Sequence, residues 1–248
     1  MGIYVSYFLI ITILSVITYF VVRYLRYRNL DYKKFIQHNP ISPDNTTIAF
    51  DLHDVIVNYD YKQIAKHILK AENKFSLFIH ILNPFFWWDL IKLFANNCVA
   101  EQYLLTIGNK YKKLQPHIPL GIKIANSQKP QPKMVRLLID LAKQGYELHL
   151  FSNIGAKIFQ DLKQKMPGLF DYFDGFTIPS PKNGYTRKPN QNAFDNFLSK
   201  HKHIKKQIIF IDDKKKNIKK GQKNGIIAIR FRNPDQIIRE LKDIGVLS

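Results

Sequence analysis

Short apolar runs alternate with amphipathic stretches over most of the chain, and several of the runs end in polar residues. The run at 46–50 (TTIAF) is followed by Asp51, and the run at 207–211 (QIIFI) is followed by an acid pair. Residues 146–151 (YELHLF) precede a serine in the same way, and apolar residues at helical spacing lie between the runs, as at 132–145. Strands that alternate with helices predict an α/β fold, a Rossmann-like parallel sheet flanked by helices, with polar side chains at the carboxyl edge of the sheet.

The first residues of the chain have a different pattern. No charged residue precedes Arg23, and residues 3–22 form an apolar run of about 20 residues, the length that a helix needs to cross a bilayer. Several basic residues follow, and the positive-inside rule places such a flank in the cytoplasm. We therefore expect one transmembrane helix over 1–24, with the N-terminus outside and the following domain in the cytoplasm. The mixed polar stretch 25–45, with its two prolines, is typical of a juxtamembrane linker.

The alternation of strands and helices stops between residues 59 and 129, where helical patterns take over. We expect a helical cap over 59–129, inserted after the first strand between the two parts of the α/β core, 46–58 and 130–248. Residues 75–94 within it are unusually apolar and aromatic, but an Asn-Pro pair and two charged residues make them a poor second membrane-spanning helix. Two interpretations remain for 75–94: the buried face of a cap helix pair, or a contact with the membrane interface.

The composition narrows the classes of binding partner that we expect. The chain has 38 Lys and Arg against 19 Asp and Glu, a formal net charge of +19, which favours anionic lipid surfaces, nucleic acid or phosphorylated substrates. A genome biased toward AT also produces an excess of Lys, so the charge alone does not identify the partner. The chain has no recognised nucleic-acid-binding motif, and we expect no specific binding of nucleic acid. The single cysteine excludes an intramolecular disulfide, and no Cys/His cluster has the spacing of a zinc site.

Four segments resemble the motifs of the haloacid dehalogenase-like hydrolases. TIAFDLHDVIV (47–57) resembles the first motif, an apolar strand followed by Asp-x-Asp-Gly-Thr/Val, and FSN (151–153) resembles the second, a strand that ends in Ser or Thr. GYTRKPNQNAF (184–194) is similar to the third, where a Lys-Pro pair opens a helix, and IIFIDDKKKN (208–217) is similar to the fourth, a strand that ends in an acid pair. The four occur in the family's order and cover 46–231. They most resemble the subfamily with a helical cap between the first two motifs.

The resemblance implies a role for each motif residue. Asp51 is the implied nucleophile, because a carboxylate divides a phosphoryl displacement into two easier steps through an aspartyl-phosphate. Ser152, the turn at Asn153 and Lys188 are implied to bind the phosphoryl oxygens. Taken alone, Ser152 also fits a helix N-cap and Lys188 a solvated surface lysine. Mg²⁺ is the implied cofactor, and its implied ligands are Asp51, the backbone carbonyl of His53, and Asp213 with or without Asp212.

The first motif departs from the family pattern at one position. The family's second carboxylate, which protonates the leaving group and later activates water, is replaced by His53. Residues two apart in an extended segment face the same way, so His53 can reach the site that Asp51 lines, and its usual pKa of about 6.5 suits proton transfer near neutrality. His53 is therefore either a substitute general acid/base or a non-catalytic side chain.

Two functional hypotheses follow. In the first, the chain is a membrane-anchored, Mg²⁺-dependent phosphatase with a cytoplasmic catalytic domain that acts on a small phosphorylated substrate through Asp51, His53, Ser152 and Lys188. In the second, it is a catalytically silent, membrane-tethered binding module with the same fold, and the replacement at position 53 is the argument for it. The helix over 1–24 is the membrane contact in both. The sequence identifies neither the substrate, nor a protein partner, nor the oligomeric state.

Overall fold

The computed structural model describes residues 32–36, 40–72, 100–201 and 207–247, together with residues 85, 88 and 89. The chain divides into two compact units, Met1–Lys34 and Phe35–Ser248, and the strands and α-helices of the described residues belong to the second. The strands are β1 (Thr46–Phe50), β2 (Val57–Tyr59), β3 (Gln128–Pro130), β4 (Glu147–Phe151), β5 (Gly175–Thr177), β6 (Gln207–Asp212) and β7 (Ile227–Arg230).

β1 lies at the centre of a five-stranded parallel sheet whose order is β5-β4-β1-β6-β7. Every residue of β1 and of β6 is buried. This agrees with the nearly continuous apolar composition of both runs, because the strands of a parallel sheet are covered on both faces. The register places Phe50 opposite Leu150 of β4 and Ile211 of β6, so the residues that follow these strands meet at one edge of the sheet.

The α-helices among the described residues are α1 (Tyr61–Leu69), α2 (Ala100–Lys110), α3 (Ile118–Ala125), α4 (Pro132–Lys143), α5 (Ala156–Lys165), α6 (Gln191–Ser199), α7 (Lys215–Lys223) and α8 (Pro234–Asp243). α4 to α7 alternate with the strands of the sheet, and α8 follows the last strand. In α4, Pro132 occupies the first turn, where no backbone N–H is needed. The buried face of α4 consists of Met134, Leu137, Leu138 and Leu141.

The helices α1, α2 and α3 lie between β2 and β3 in the chain, and we call residues 60–127 the helical insertion. β2 and β3 pair antiparallel, with Tyr59 opposite Gln128. The insertion is fastened to α5, because Asn126 Nδ2 donates a hydrogen bond to Asp161 Oδ2 at 2.8 Å. β2 leads into the insertion and β3 leads out of it, so this antiparallel pair joins both ends of the insertion to the core.

The predicted fold class is confirmed in its main part, an α/β fold with a parallel central sheet flanked by helices. The predicted cap over 59–129 and the other domain boundaries stay predictions. Of the segment 75–94 the structure describes three residues, and two of them, Phe85 and Trp88, are exposed. Both interpretations of 75–94, the buried face of a cap helix pair and a contact with the membrane interface, stay predictions.

The predicted localisation has to be corrected. No helix in the part of the chain that the structure describes is long and apolar enough to span a membrane. This finding overturns the prediction of a single-pass membrane protein with a cytoplasmic catalytic domain, and we withdraw it. Residues 1–24, on which the prediction rested, lie outside the described residues. The described part of the predicted linker 25–45 includes two short 3-10 turns, Lys33–Phe35 and Pro43–Asn45.

A buried histidine lies within β4. The side chain of His149 is enclosed, its Nε2 is 2.9 Å from Thr177 Oγ1, and its ring meets the ring of His201 edge-on. Gly175 on β5 makes room for it, since a Cβ there would lie 2.6 Å from His149 Nδ1. Burial, followed by the nearby positive charges of His201 and Lys200, lowers the pKa of His149 to about 3. The imidazole is therefore neutral in the folded protein near neutral pH.

We expect His149 to make folding stability depend on pH. In the unfolded chain this imidazole gains a proton as the pH falls through about 6.5, whereas in the folded protein it stays neutral down to about 3. Its contribution is complete above the unfolded pKa and is lost progressively below it, by about 2 kcal/mol between pH 7 and pH 5. Urea unfolding at both pH values should show about 2 kcal/mol less loss for His149→Gln than for the wild type. Equal losses in the two proteins would contradict this.

Candidate active site at the carboxyl edge of the sheet

Four of the predicted site residues come together at the carboxyl edge of the sheet. Asp51 follows β1, Ser152 follows β4, and Asp212 is the last residue of β6. Lys188, in the loop before α6, places its Nζ 3.2 Å from Asp51 Oδ1 and 2.7 Å from Asp212 Oδ2. All four residues are buried, with at most 3% of each exposed. The site therefore combines three strand ends and one loop.

The backbone of Lys188 is held by Asn153 through two reciprocal hydrogen bonds. The side-chain nitrogen of Asn153, Nδ2, donates to Lys188 O, and the backbone N–H of Lys188 donates to Asn153 Oδ1, both at 2.8 Å. The ammonium also donates to Phe151 O and lies 4.9 Å from the ring centres of Phe151 and Phe210. Lys188 is thus not a solvated surface lysine. The carboxylates of Asp51 and Asp212 face the enclosed ammonium and offset the cost of burying it.

The carboxylate of Asp51 is held in its charged form. Burial, the largest single effect, would raise the pKa of Asp51, but the neighbouring groups, the ammonium of Lys188 first among them, together outweigh burial, and the pKa is lowered. Lys214 and His53 add smaller effects in the same direction. The Leu52 N–H also donates to Asp51 Oδ1 at 2.8 Å. Asp51 therefore carries the charge that a carboxylate nucleophile needs.

The two carboxylates of the acid pair differ. Asp212 accepts hydrogen bonds from Lys188 Nζ and from the Lys214 N–H at 2.7 Å, and Asn217 Nδ2 lies 3.0 and 2.9 Å from its two oxygens. Burial raises the pKa of Asp212, and the ammonium of Lys188 opposes that rise. Asp213 Oδ1 is buried and has no hydrogen-bond partner among the described residues, and burial raises the pKa of Asp213 to about 6. The protein's own donors hold Asp212, while Asp213 has an oxygen available for a ligand.

These residues fit a divalent cation. One carboxylate oxygen from each of Asp51, Asp212 and Asp213 lies within 4.8 Å of the others. Oxygen ligands of this kind are those that Mg²⁺ takes in proteins. The buried Asp213 Oδ1 favours a cation at this position, because a buried acceptor is costly unless something donates to it or coordinates it. The fourth expected ligand, the backbone carbonyl of His53, stays a prediction.

His53 belongs to the same site and is bound by a residue outside the four motifs. Its Nδ1 is 2.8 Å from Gln128 Oε1, and its ring is parallel to the ring of Tyr59, with 6.1 Å between the ring centres. Burial lowers the pKa of His53, and the charge of Asp51 partly opposes that effect. The imidazole is therefore close enough to Asp51 to sense its charge.

The hydroxyl of Ser152 is available to a ligand. Ser152 Oγ is buried and lies near the Asp51 carboxylate without a well-directed hydrogen bond to it, and it has no other partner among the described residues. The alternative role as a helix N-cap is wrong, because Gly155 is the N-cap of α5. A buried hydroxyl without a partner is suited to donate to an oxygen of a bound anion.

Motif reasoning does not identify two further residues of the site. Lys214 Nζ lies 4.0 Å from Asp213 Oδ1. Burial alone would lower the pKa of Lys214, but the neighbouring carboxylates, Asp51 first among them, raise it. Its position directly after the acid pair is a signal that could have found it. Gln128, 75 residues from His53, has no such signal, because the helical insertion separates the two.

Comparisons with known proteins agree with this geometry. The family described as "Haloacid dehalogenase-like hydrolase" matches residues 48–231. A sesquiterpene phosphatase of Aspergillus oryzae, astK, is 28% identical over 116 residues, which are 47% of this chain and 58% of that protein. The chain thus aligns with little more than half of the length of this relative.

Two solved structures show the same fold. L-2-haloacid dehalogenase from Xanthobacter autotrophicus is similar with a TM-score of 0.53 at 14% identity, covering 84% of this chain and 85% of that chain. A haloacid dehalogenase-like family enzyme from Bacteroides thetaiotaomicron has a TM-score of 0.56 at 19% identity, covering 78% of this chain and 95% of that chain. Since the family match extends over most of the chain and all four motif segments lie at one edge of its sheet, the chain belongs to the haloacid dehalogenase-like hydrolases.

Proposed function

We propose that this chain is a phosphatase that hydrolyses phosphate monoesters through an aspartyl-phosphate at Asp51. The observation that carries the proposal is the buried Asp51 carboxylate at the edge of the sheet, whose pKa the surrounding groups, with the ammonium of Lys188 3.2 Å away first among them, lower in spite of burial. Membership of a hydrolase family and similarity to a sesquiterpene phosphatase support it.

In the first step, an oxygen of Asp51 attacks the phosphorus atom of the ester. A bond forms between that oxygen and phosphorus while the bond from phosphorus to the alcohol oxygen breaks. The alcohol oxygen takes a proton from Nε2 of His53 in its imidazolium form, which the lowered pKa of His53 makes the minor form near neutral pH. The Ser152 hydroxyl donates to an oxygen of the transferring group. The products of this step are the free alcohol, the aspartyl-phosphate and a neutral imidazole.

In the second step, water attacks the phosphorus of the aspartyl-phosphate. His53 Nε2 takes the proton of the water, the bond between phosphorus and the Asp51 oxygen breaks, and inorganic phosphate leaves. The Asp51 carboxylate and the imidazolium of His53 are restored together. The same nitrogen therefore acts as acid in one step and as base in the next.

Lys188 and Lys214 stabilise negative charge in different ways. The ammonium of Lys188 has three protons, and acceptors on Asp51, Asp212 and the Phe151 carbonyl are in reach of them. Lys188 therefore acts by holding Asp51 charged and by its own fixed charge. About half of the Lys214 side chain is exposed, which suits direct contact with the phosphoryl oxygens of a substrate.

Asp51 and Asp213 are the side chains that we propose to hold Mg²⁺, with Asp212 kept in place behind them by Lys188 and Asn217. When bound, the cation supplies the positive charge that lets an anionic phosphate approach a carboxylate. Because burial raises the pKa of Asp213 to about 6, this carboxyl has to lose its proton before it can act as a ligand.

We propose that the helical insertion is the cap of this site and selects the alcohol part of the substrate. The antiparallel β2–β3 pair that joins it to the core carries Tyr59 and Gln128, and both contact His53. Any shift of the insertion therefore acts on a residue of the site. The relative from Aspergillus oryzae makes terpenyl phosphates the first substrate class to test.

We expect Asp51→Asn to lower kcat by at least about a thousandfold, because the amide is a poor nucleophile and the covalent step is lost. Release of phosphate from p-nitrophenyl phosphate and from farnesyl phosphate, with Mg²⁺ present, measures this. Asp171→Asn, a matched change at an exposed position, should keep the wild-type rate. Equal turnover by the wild type and Asp51→Asn would overturn the nucleophile assignment. A wild type that binds phosphate esters without turnover would favour the silent binding module.

We expect Lys188→Met to destabilise the fold by about 3–5 kcal/mol at pH 7 without metal, because Asp51 and Asp212 then remain buried without their cation. Lowering the pH to about 5 should narrow the difference from the wild type, since carboxyls with raised pKa values become neutral in the folded variant. Urea unfolding in EDTA measures both effects, and Lys182→Met at an exposed position is the control. A variant as stable as the wild type, or a difference that grows as the pH falls, would contradict the role of this ion pair.

A further inference from the structure

We propose that Gln128 is a positioning residue that fixes the imidazole of His53 with a proton on Nδ1, so that Nε2 is the nitrogen that exchanges protons with substrate and water. This inference rests on the proposed function, because it assigns the atom of His53 that takes part in the two steps. Gln128 touches neither substrate nor phosphate in this scheme. It acts through His53.

The orientation of the Gln128 amide is set by the backbone. Its Nε2 donates a hydrogen bond to the carbonyl oxygen of Ala125 at 2.6 Å, and a carbonyl oxygen can only accept. The other end of the amide, Oε1, therefore faces His53 Nδ1, at 2.8 Å. Turning the amide around would bring its NH₂ group against His53 and its oxygen against another oxygen. Only 2% of Gln128 is exposed, so water does not compete for these bonds.

An acceptor opposite Nδ1 selects the form of the ring that carries a proton there. Gln128 Oε1 accepts from Nδ1 both when the imidazole of His53 is neutral and when it is charged, since Nδ1 carries a proton in both states. The proton that His53 gives to the leaving group and takes from water is then the one on Nε2. Without Gln128, a neutral ring could hold its proton on Nε2 instead, and that nitrogen could not take a proton from water.

The imidazole of His53 also contacts the other strand of the β2–β3 pair. Tyr59 of β2 lies opposite Gln128 of β3, and the Tyr59 ring is parallel to the imidazole, with an angle of 2° between the planes. One cross-strand pair thus places a parallel ring beside the imidazole of His53 and an acceptor opposite its Nδ1. The acceptor that holds the Gln128 amide, Ala125 O, is at the end of α3, so the helical insertion also takes part in this positioning.

The test compares two substitutions of Gln128 in the full chain. Gln128→Glu, whose protonated carboxyl donates to Ala125 O as the amide does, keeps an oxygen acceptor opposite Nδ1, whereas Gln128→Met has similar size and no acceptor. Two-bond ¹H–¹⁵N correlation spectra of histidine-labelled protein distinguish the two tautomers, and the signals that disappear in His53→Asn identify His53. We expect the Nδ1–H form in the wild type and in Gln128→Glu, and a mixture of both forms in Gln128→Met. Thermal unfolding checks that the variants fold.

The kinetic readout uses two substrates whose leaving groups differ. With a simple alkyl phosphate, whose alcohol needs a proton to leave, we expect Gln128→Met to lower kcat by about 10- to 100-fold with KM changed by less than about threefold. With p-nitrophenyl phosphate, whose phenolate leaves without a proton, the loss should be smaller, and Gln128→Glu should restore most of the rate with both.

The results that would overturn the role of Gln128 differ from those that would overturn the phosphatase activity. An Nε2–H tautomer in wild-type His53, or an unchanged tautomer and kcat in Gln128→Met, would overturn the role of Gln128 while leaving the phosphatase intact. An equal loss of kcat with both substrates would indicate a purely structural role for Gln128 and would also overturn the inference. A wild type that releases no phosphate from either substrate would overturn the phosphatase itself, whatever the tautomer.

Discussion

The enclosed ammonium of Lys188 is the interaction on which the rest of the site depends. Lys188 is 1% exposed, and Asp51 and Asp212 face its ammonium from the ends of two neighbouring strands, which offsets the cost of burying a charge. The same contact is the largest of the effects that together lower the pKa of Asp51 against the effect of its burial. The parallel register of β1 and β6 therefore matters for the electrostatics of the site as well as for packing, because a shift by one residue would separate the charges that stabilise each other.

Two asparagines support this ion pair from outside it. Asn153 fixes the backbone of Lys188 from the end of β4, and Asn217 fixes the Asp212 carboxylate from α7. Since the bonds of Lys188 and Asp212 are directed into the protein, the groups that remain for a ligand are few. Among the described residues they include, beside Asp51 and His53, the Ser152 hydroxyl, the Asp213 carboxylate and the ammonium of Lys214. A donor, a second carboxylate and a cation around the Asp51 carboxylate are the groups that the proposed phosphatase requires.

The sequence predicts the parts of this site that follow from periodicity. Parallel strands end at one edge, so apolar runs that stop at Asp51, Ser152 and Asp212 are enough to place these residues together. Contacts between side chains on distant segments leave no such pattern, and the bond from Gln128 to His53 is of this kind. The burial of Lys188 also has no local signal, because its loop looks polar in sequence. The apolar run at 3–22 shows the opposite case, where a strong local pattern led to a membrane topology that no described helix supports.

The most direct test of the central role of Asp51 is to locate the phosphoryl group during turnover. Acid quenching of the full chain with a phosphate ester and Mg²⁺, followed by borohydride reduction, converts an aspartyl-phosphate into homoserine, which peptide mass spectrometry assigns to a position. We predict homoserine at position 51 in the wild type, because Asp51 is the buried carboxylate that Lys188 keeps charged at the edge of the sheet. Homoserine at Asp212, at Asp213 or at any other acid in place of Asp51 would contradict it.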